Sequence, residues 1–421
     1  MSEGKRRLGA AADRQNGCHG RDLPKEPVEA SHEAAFRTRA THAGEDRSAP
    51  VRPLTEPIYQ GTVYAFHDPA LAETRHAADP SEPNYARDGL PTVRTLERAI
   101  AQLEGAEEGV AAASGMGAIA LIFLAHLAAG DEVVVSADCY CDTATLLREE
   151  LVRFGVTAMF IDTCDPERLR GSLTNRTRLV YVETVSNPAM KLCDLARTAR
   201  IAHEAGALLV VDNTFATPAL CRPLEHGADL VVHSATKFIG GHHDLIAGVV
   251  VGRRSVLERV RRCAYFYGPT LGSMDAWLAL RGIKTLAPRM AWISETAAAV
   301  AAFLAGHPAV AAVRYPGLPD HPQAALARHL LPDGAGGMLA FDLVGGPSAA
   351  EALIRRLRLI AFAPSLGGTE TTISYPPKAR PVTGAPHAPT GSVRLSIGLE
   401  AAGDLIADLR QALDALPAPG V

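Results

Sequence analysis

Aromatic residues make up only 5% of the 421 positions, with two tryptophans, and no apolar run is long enough to span a bilayer. The most apolar stretch, Ala118 to Ala129, is interrupted by His126 and reads as a buried helix. Neither charge sign dominates. The 42 Lys and Arg are offset by 46 Asp and Glu, a formal net charge of -4, which gives no case for nucleic acid or an anionic membrane as a partner. The seven cysteines (Cys18, Cys139, Cys141, Cys164, Cys193, Cys221 and Cys263) are odd in number and follow no bridge or zinc spacing. They read as reduced thiols, and so as a cytoplasmic protein. Cys139 and Cys141 have no two further ligands nearby and read as small residues at a strand end or loop. No apolar segment follows Lys5, Arg6 and Arg7, so no signal peptide is read there. No Gly-x-Gly-x-x-Gly follows a strand and no Walker A sequence is present, which removes support for nucleotide binding. His242 and His243 are adjacent, point apart and meet no carboxylate set, so they read as loop structure and no metal is expected. Trp277 and Trp292 are assigned to core or subunit contacts.

What is present has an ordinary globular make-up, 47% hydrophobic and 21% charged. Residues 1–33 show no period and read as a flexible extension. Residues 34–88 are rich in proline and polar residues, an arm expected to contact a neighbouring subunit. From residue 89 strands and helices alternate. Val93 to Leu103 has helical spacing, Gly109 to Ala113 is apolar, and Ser114-Gly115-Met116-Gly117 opens an apolar helix. Further buried strands are expected at Glu132 to Val135, Leu179 to Glu183, Leu208 to Val211, Leu230 to His233 and Ala247 to Val251. A helix from Leu195 to Ala205 should end at Gly206. Apolar strands alternating with helices predict an α/β fold with a mostly parallel sheet covered on both faces. Residues 89–270 form that large domain. Residues 271–421 begin helically and continue as a smaller α+β domain, with strands at Met338 to Leu343 and Ser392 to Ile397.

Three features carry chemistry together. The strand Leu208 to Val211 runs into Asp212-Asn213-Thr214, placing Asp212 at the carboxyl edge where open α/β sheets bind ligands. Val231-Val-His-Ser-Ala-Thr-Lys237 takes a second strand into a hydroxyl-rich turn with one lysine, followed by Gly240 and Gly241. A lysine that forms imines must be deprotonated, which a desolvated or cation-flanked site favours. Ser114-Gly115-Met116-Gly117 offers free N–H groups and a helix dipole to an anion. Alone, each has a bland reading: a turn aspartate, a solvated lysine, a strand-to-helix turn. Jointly they supply what pyridoxal phosphate needs, namely a phosphate cradle, a carboxylate for the pyridine nitrogen and an amine for the aldehyde.

The order Tyr85-Ala-Arg87, Leu103-Glu104-Gly105, Ser114-Gly115-Met116, Gly130-Asp131, Tyr140, Asp212-Asn213-Thr214, Ser234-Ala-Thr-Lys237, Ser365-Leu-Gly-Gly368 and Val393-Arg-Leu-Ser396 closely resembles the trans-sulfuration (Cys/Met metabolism) family over roughly residues 36–415. The resemblance implies the fold type I of PLP-dependent transferases, with a seven-stranded sheet, and pyridoxal 5'-phosphate as cofactor. It implies that Lys237 holds the cofactor as a Schiff base and shuttles protons, that Asp212 pairs with the pyridinium, and that Tyr140 stacks on the ring and shares in catalysis. Gly115 and Met116 would hold the phosphate, with the hydroxyls of Ser234 and Thr236; Thr214 would also bind the cofactor. Tyr85 and Arg87 would reach the phosphate of a neighbouring subunit. Asn187 would touch both cofactor and substrate, and Arg394, helped by Ser365, would clamp the substrate carboxylate. A homotetramer with active sites shared between two subunits is implied, acting on a small amino acid. The activity expected first is γ-replacement on an activated homoserine, as in cystathionine γ-synthase. The alternative is γ-elimination to a 2-oxo acid and ammonia. An aminotransferase or a non-catalytic relative would share the fold, but the Ser-Leu-Gly-Gly motif and the intact Lys237 favour the first two.

The sequence also departs from the family. Cys141 and Asp142 stand where Gly, then Gly or Cys, are usual, and Asp142 counts against a methionine γ-lyase. Pro364 replaces a frequent Glu of cystathionine-handling members, and Leu366 replaces the Trp of bacterial β-lyases. Tyr375 to Pro381 replaces a His-Pro-Ala-x-Met-Thr-His segment, and its Lys378 and Arg380 suggest an acidic second substrate.

Overall fold

The computed structural model describes residues 34–45, 51–70, 85–375 and 392–416. The extension 1–33, and Lys378 and Arg380 with the segment around them, lie outside the described residues. Seven strands form the larger sheet: β1 (Glu108–Ala112), β2 (Glu132–Ser136), β3 (Thr157–Ile161), β4 (Thr177–Glu183), β5 (Leu208–Asp212), β6 (Leu230–Ser234) and β7 (Gly248–Gly252). Their order is β1-β7-β6-β5-β4-β2-β3. Pairings are parallel from β6 through to β3, and β7 runs against both of its neighbours. A five-stranded sheet follows, from β8 (Val310–Arg314), β9 (Met338–Leu343), β10 (Ala361–Phe362), β11 (Thr372–Ser374) and β12 (Ser392–Ser396), in the order β10-β11-β12-β9-β8. Among the described residues no helix is long and apolar enough to cross a membrane.

Alternation along the central strands decides what each face meets. Val133, Val135, Tyr181, Val210, Val232 and Val250 pack on one face against the helices Gly115–His126 and Arg254–Tyr267. Val134, Val180, Val182, Leu209 and Val211 face the other way, against the helix Leu195–Glu204 and the long helix Leu286–Ala305. The same face continues over Val231, Val249 and Val251 to the helices Pro91–Glu104 and Ser273–Ile283. Each such side chain, almost wholly removed from water, contributes roughly 1.5–3 kcal/mol. Burial on both faces is why these strands read as unbroken apolar runs.

The expected strands are found within a residue or two of their sequence bounds, and Gly206 ends its helix with φ +76°. β3, β8, β10 and β11 were not anticipated. β3 is an edge strand with Thr157 and Met159 exposed, β8 is only partly buried, β10 is exposed, and β11 spans three residues, so none shows a long run buried on both faces. Cys139 lies in the turn after β2, and Cys141 starts the short helix Cys141–Thr145. Trp277 donates its indole N–H to the Glu56 carbonyl, 2.9 Å away, tying the arm to the helix Ser273–Ile283. Trp292 is 48% exposed in this chain, so it is not a core residue.

Candidate active site

The helix Gly115–His126 starts just beyond β1. Ser114 caps it, its Oγ accepting from Gly117 N at 2.9 Å, while its carbonyl accepts from Ala118 N at 3.0 Å. The N–H groups of Gly115 and Met116 therefore have no partner within the helix and stand at its positive end. Only glycine fits at 115: a Cβ there would lie 2.7 Å from Ser234 Cβ. The helix start and the exit of β6 are thus pressed together, with the Ser234 hydroxyl beside the two free donors.

By strand parity, Tyr181, Glu183, Asp212 and Ser234 point to the face on which this helix lies, at the carboxyl ends of β4, β5 and β6. Asp212 Oδ1 accepts from Thr214 N at 2.9 Å and Oδ2 accepts from the Tyr181 hydroxyl at 3.1 Å. Thr214 Oγ1 in turn accepts from Ser234 N at 2.9 Å, so the two strand exits are stitched together. Glu183 sits opposite Asp212 in register. Burial, then the neighbouring Asp212 charge, pushes its carboxyl well above the usual range, despite hydrogen bonds from the N–H groups of Tyr140 and Asn187.

The opposite parity carries a buried backing. The Asn213 amide donates to Glu104 Oε1 (2.9 Å) and to the Cys221 carbonyl (2.8 Å), and its Oδ1 accepts from Thr184 Oγ1 (2.7 Å). His233 Nε2 lies 2.7 Å from the same Glu104 oxygen. Thr184, Asn213 and His233 each adjoin a residue of the front face, namely Glu183, Asp212 and Ser234.

Lys237 lies in the turn after β6, where its N–H donates to Ser234 O (3.1 Å) and its carbonyl accepts from Gly241 N (2.8 Å). Its Nζ donates to Ser365 Oγ at 3.0 Å. The Ser365-Leu-Gly-Gly368 loop packs directly on this turn. Gly367 has φ +79°, and a Cβ on it would come within 2.7 Å of Phe238 N. Burial, and then the Arg394 cation, lowers the Lys237 pKa, the direction an attacking amine requires. Arg394, on β12, donates to Asn187 Oδ1 (3.0 Å) and to the Pro364 carbonyl (3.3 Å). His242 Nδ1 pairs with the Gly240 carbonyl at 2.8 Å, and the His243 ring packs against Gly368, so both histidines have loop roles.

A cavity of about 280 Å³ joins these parts, bringing together Gly115, Met116, Tyr140, Asn187, Asp212, Thr214, Ser234, Thr236, Lys237 and Arg394, with Ser365 reached through Lys237. One expectation needs adjusting. The Thr236 hydroxyl exchanges hydrogen bonds with the backbone of Ala247 (3.0 and 3.2 Å), which already occupies it. Tyr85 and Arg87 lie outside this cavity, with the Arg87 guanidinium 4.6 Å from the Tyr265 ring centroid. A second cavity, of about 340 Å³, lies under the arm and holds none of the expected residues. Three groups around the site were not selected from sequence. Glu183 ends an apolar strand beside Asp212, and Tyr181 is a hydroxyl inside a Val-rich strand that must find a partner. Asp142, noted only as a departure, accepts from the Tyr140 hydroxyl at 2.7 Å.

The donor set fits pyridoxal phosphate: two N–H groups without a partner in their own helix, a serine beside them, a carboxylate and an amine of lowered pKa all line one cavity. The sequence matches the model of the Cys/Met metabolism PLP-dependent enzymes over residues 37–414. It is 41% identical over 397 residues to an L-methionine gamma-lyase of Porphyromonas gingivalis, covering 91% of this chain and 98% of the relative. An O-succinylhomoserine sulfhydrylase of Pseudomonas aeruginosa is 40% identical over 91% of this chain and 96% of its own length. The crystal structure of metB from Corynebacterium glutamicum superposes with a TM-score of 0.85 at 36% identity, covering 91% of this chain and 98% of that one. With the family model matched across nearly the whole chain and the lysine, carboxylate and anion cradle meeting in one cavity, the protein belongs to the Cys/Met metabolism family of PLP-dependent enzymes.

Proposed function

We propose that the chain cleaves the bond between Cγ and a heteroatom substituent of an α-amino acid, with elimination to a 2-oxo acid and ammonia as the main outcome. The observation that carries this reading is the Lys237 amine, of lowered pKa, held by Ser365 within the same cavity as Arg394. The likeness to the P. gingivalis methionine gamma-lyase over 98% of that protein supports elimination. Replacement of the γ-substituent by a nucleophile is the second reading, favoured by the likeness to the P. aeruginosa sulfhydrylase. Asp142 still separates this chain from the usual methionine γ-lyase pattern, so the leaving group need not be methanethiol.

Bound here, pyridoxal phosphate supplies an aldehyde for the substrate nitrogen and a ring that draws off electrons released at Cα. Gly115 and Met116 would hold its phosphate with their N–H groups, beside Ser234, and Asp212, steadied by Tyr181 and Thr214, would offer its carboxylate to the pyridinium. Tyr140, on the cavity wall, would stack on the ring. Arg394 receives the substrate carboxylate in a two-point fork, oriented by Asn187. Lys237, once its amine is free, would remove the proton at Cα; after passing that proton to the cofactor carbon bound to the substrate nitrogen it would regain the lone pair needed to remove one at Cβ, with Ser365 keeping Nζ aimed along that path. Tyr85 and Arg87 serve the cavity of an adjacent subunit in an oligomer whose sites are shared.

Incubation with L-methionine and with O-acetyl- and O-succinylhomoserine, each with and without cysteine, tests the reading. A 2-oxo acid and ammonia without cysteine indicate elimination, whereas a cysteine-dependent thioether makes replacement the main activity. Turnover of none of these, with cofactor bound, would overturn cleavage at Cγ.

A further inference from the structure

The hydrogen bond between Tyr140 and Asp142 has no part in the chemistry above. Tyr140 caps the helix Cys141–Thr145 and lines the cavity, and its N–H is pinned by the buried Glu183 carboxylate at 2.7 Å. Its hydroxyl donates to Asp142 Oδ2 at 2.7 Å, and Asp142 is exposed to solvent. One end of this pair therefore touches the cavity and the other touches water. The remaining groups that bear on it are the Cys141 thiol, which donates to Asp142 Oδ1 at 3.6 Å, Arg394 from β12 and Glu183 from β4.

An α-amino acid enters as an ammonium ion, whose nitrogen has no lone pair. One proton must leave before that nitrogen can act as a nucleophile. Lys237 is not free for this task while it holds the cofactor. We propose that Tyr140 and Asp142 form a proton relay in which the ammonium gives a proton to the phenol oxygen while the phenol gives its own to Asp142 Oδ2. One N–H and one O–H bond break, and two O–H bonds form. The ammonium and carboxylate charges cancel, which relieves the cost of enclosing the cation in a half-buried site. Asp142 then returns its proton to the water at the rim.

The phenol stays neutral throughout. Burial, then the Asp142 hydrogen bond and charge, raise the Tyr140 pKa far above that of an ordinary phenol, so a resting phenolate is not the base here. Asp142 is this chain's own feature, since the family it resembles usually carries Gly or Cys at that position. The inference rests on the reading of the cavity as an amino-acid site.

The test compares the wild type with Asp142→Asn, Asp142→Glu and Tyr140→Phe, alone and combined. Asp142→Asn should lower kcat/KM about 10²-fold at neutral pH, the range of a lost acid–base group. The deficit should shrink in proportion to hydroxide as pH rises, because the substrate then arrives already deprotonated, and kcat should fall much less. Asp142→Glu should recover most of the loss. Asp142→Asn should add nothing to Tyr140→Phe. A second readout needs no turnover: the ultraviolet titration of Tyr140, taken as the difference from Tyr140→Phe in the cofactor-free protein, should move down in Asp142→Asn, while burial still holds it above that of an ordinary phenol. An Asp142→Asn profile parallel to wild type, or an unmoved Tyr140 titration, would overturn the relay. Absence of turnover in the wild type would instead sink the reading of the reaction, and the titration would still decide the Tyr140–Asp142 bond.

Discussion

Glu183 stands directly across from Asp212 on adjacent parallel strands, so two carboxylates share one edge of the sheet at the floor of the cavity. Like charges this close cannot both ionise cheaply, and Glu183 is the more buried of the two. Burial and the Asp212 charge therefore push the Glu183 carboxyl up, while the Asp212 carboxylate is held beside the cavity by Tyr181 and Thr214.

That upward shift predicts a pH signature. Glu183 has its folded-state pKa raised above the unfolded value. Its contribution to stability is full below the unfolded pKa and is lost as pH rises toward the folded one. Glu183→Gln keeps an acceptor for the Tyr140 and Asn187 N–H groups and cannot ionise. In cofactor-free protein, its melting temperature should stay near wild type at mildly acidic pH and overtake it progressively at alkaline pH. A constant gap across pH would mean that Glu183 is ionised in the fold.

Arg394 has two separable effects. Its fork meets the substrate carboxylate, and removing one member of such a charge pair costs about 2–5 kcal/mol. Arg394→Leu should therefore lower kcat/KM by roughly 30-fold to a few thousand-fold. The cation also lowers the Lys237 pKa, so its loss should raise that pKa. The rate at which the cofactor-free enzyme captures pyridoxal phosphate, followed against pH, should shift its rise to higher pH in this variant.

Much of this was legible in the sequence, for a physical reason. β2, β4, β5, β6 and β7 are buried on both faces, so their apolar runs announce them. Asp212 and Lys237 stand where such runs stop, which marks the carboxyl edge. Less was legible where the signal depends on tertiary contact. β3 is an edge strand, half exposed, and its apolar run Ala158 to Ile161 is short. The arrangement of Glu104 behind Asn213 and His233 joins positions 109 and 129 residues apart, which no local pattern encodes. Asp142 was visible as a departure, yet its partner could be known only once the helix Cys141–Thr145 turned its side chain back to the phenol.

The Glu104 network makes a stability prediction. Glu104 and His233 are both fully enclosed, and Asn213 leans on the same oxygen. Removing one member of a buried pair costs about 3–5 kcal/mol, because the other is stranded. Glu104→Ala should lose about that much in denaturant unfolding. Because Asn213 and His233 adjoin Asp212 and Ser234, Glu104→Gln should weaken cofactor affinity more than its smaller stability loss would suggest. Equal cofactor affinity in Glu104→Gln and wild type would limit the network to holding the fold.

Arg289 supplies the last prediction, because it grips the chain immediately after the lysine. It lies on the long helix Leu286–Ala305 and donates to three backbone carbonyls: Phe238 (2.6 Å), Ile239 (3.2 Å) and Gly282 (2.9 Å). Nε adds a bond to Thr285 Oγ1 at 3.1 Å. Burial pushes its pKa down to about 10, which still leaves it a cation at neutral pH. Gly241 makes room for it, since a Cβ there would run into the guanidinium. A flat fork with five donors can serve carbonyls spread in this way, and a lysine ammonium cannot reach them all. Arg289→Met would strand the three carbonyls, each worth about 1–3 kcal/mol when buried unpaired, although relaxation of the turn recovers part of the total. A loss of roughly 3–5 kcal/mol by denaturant titration is expected. Arg289→Lys should recover less than half of it. If the grip also sets the aim of Nζ, Arg289→Lys should lower kcat more than it raises KM, with Ser365→Ala producing the same split. A rise in KM alone would show that the turn holds Lys237 without help from Arg289.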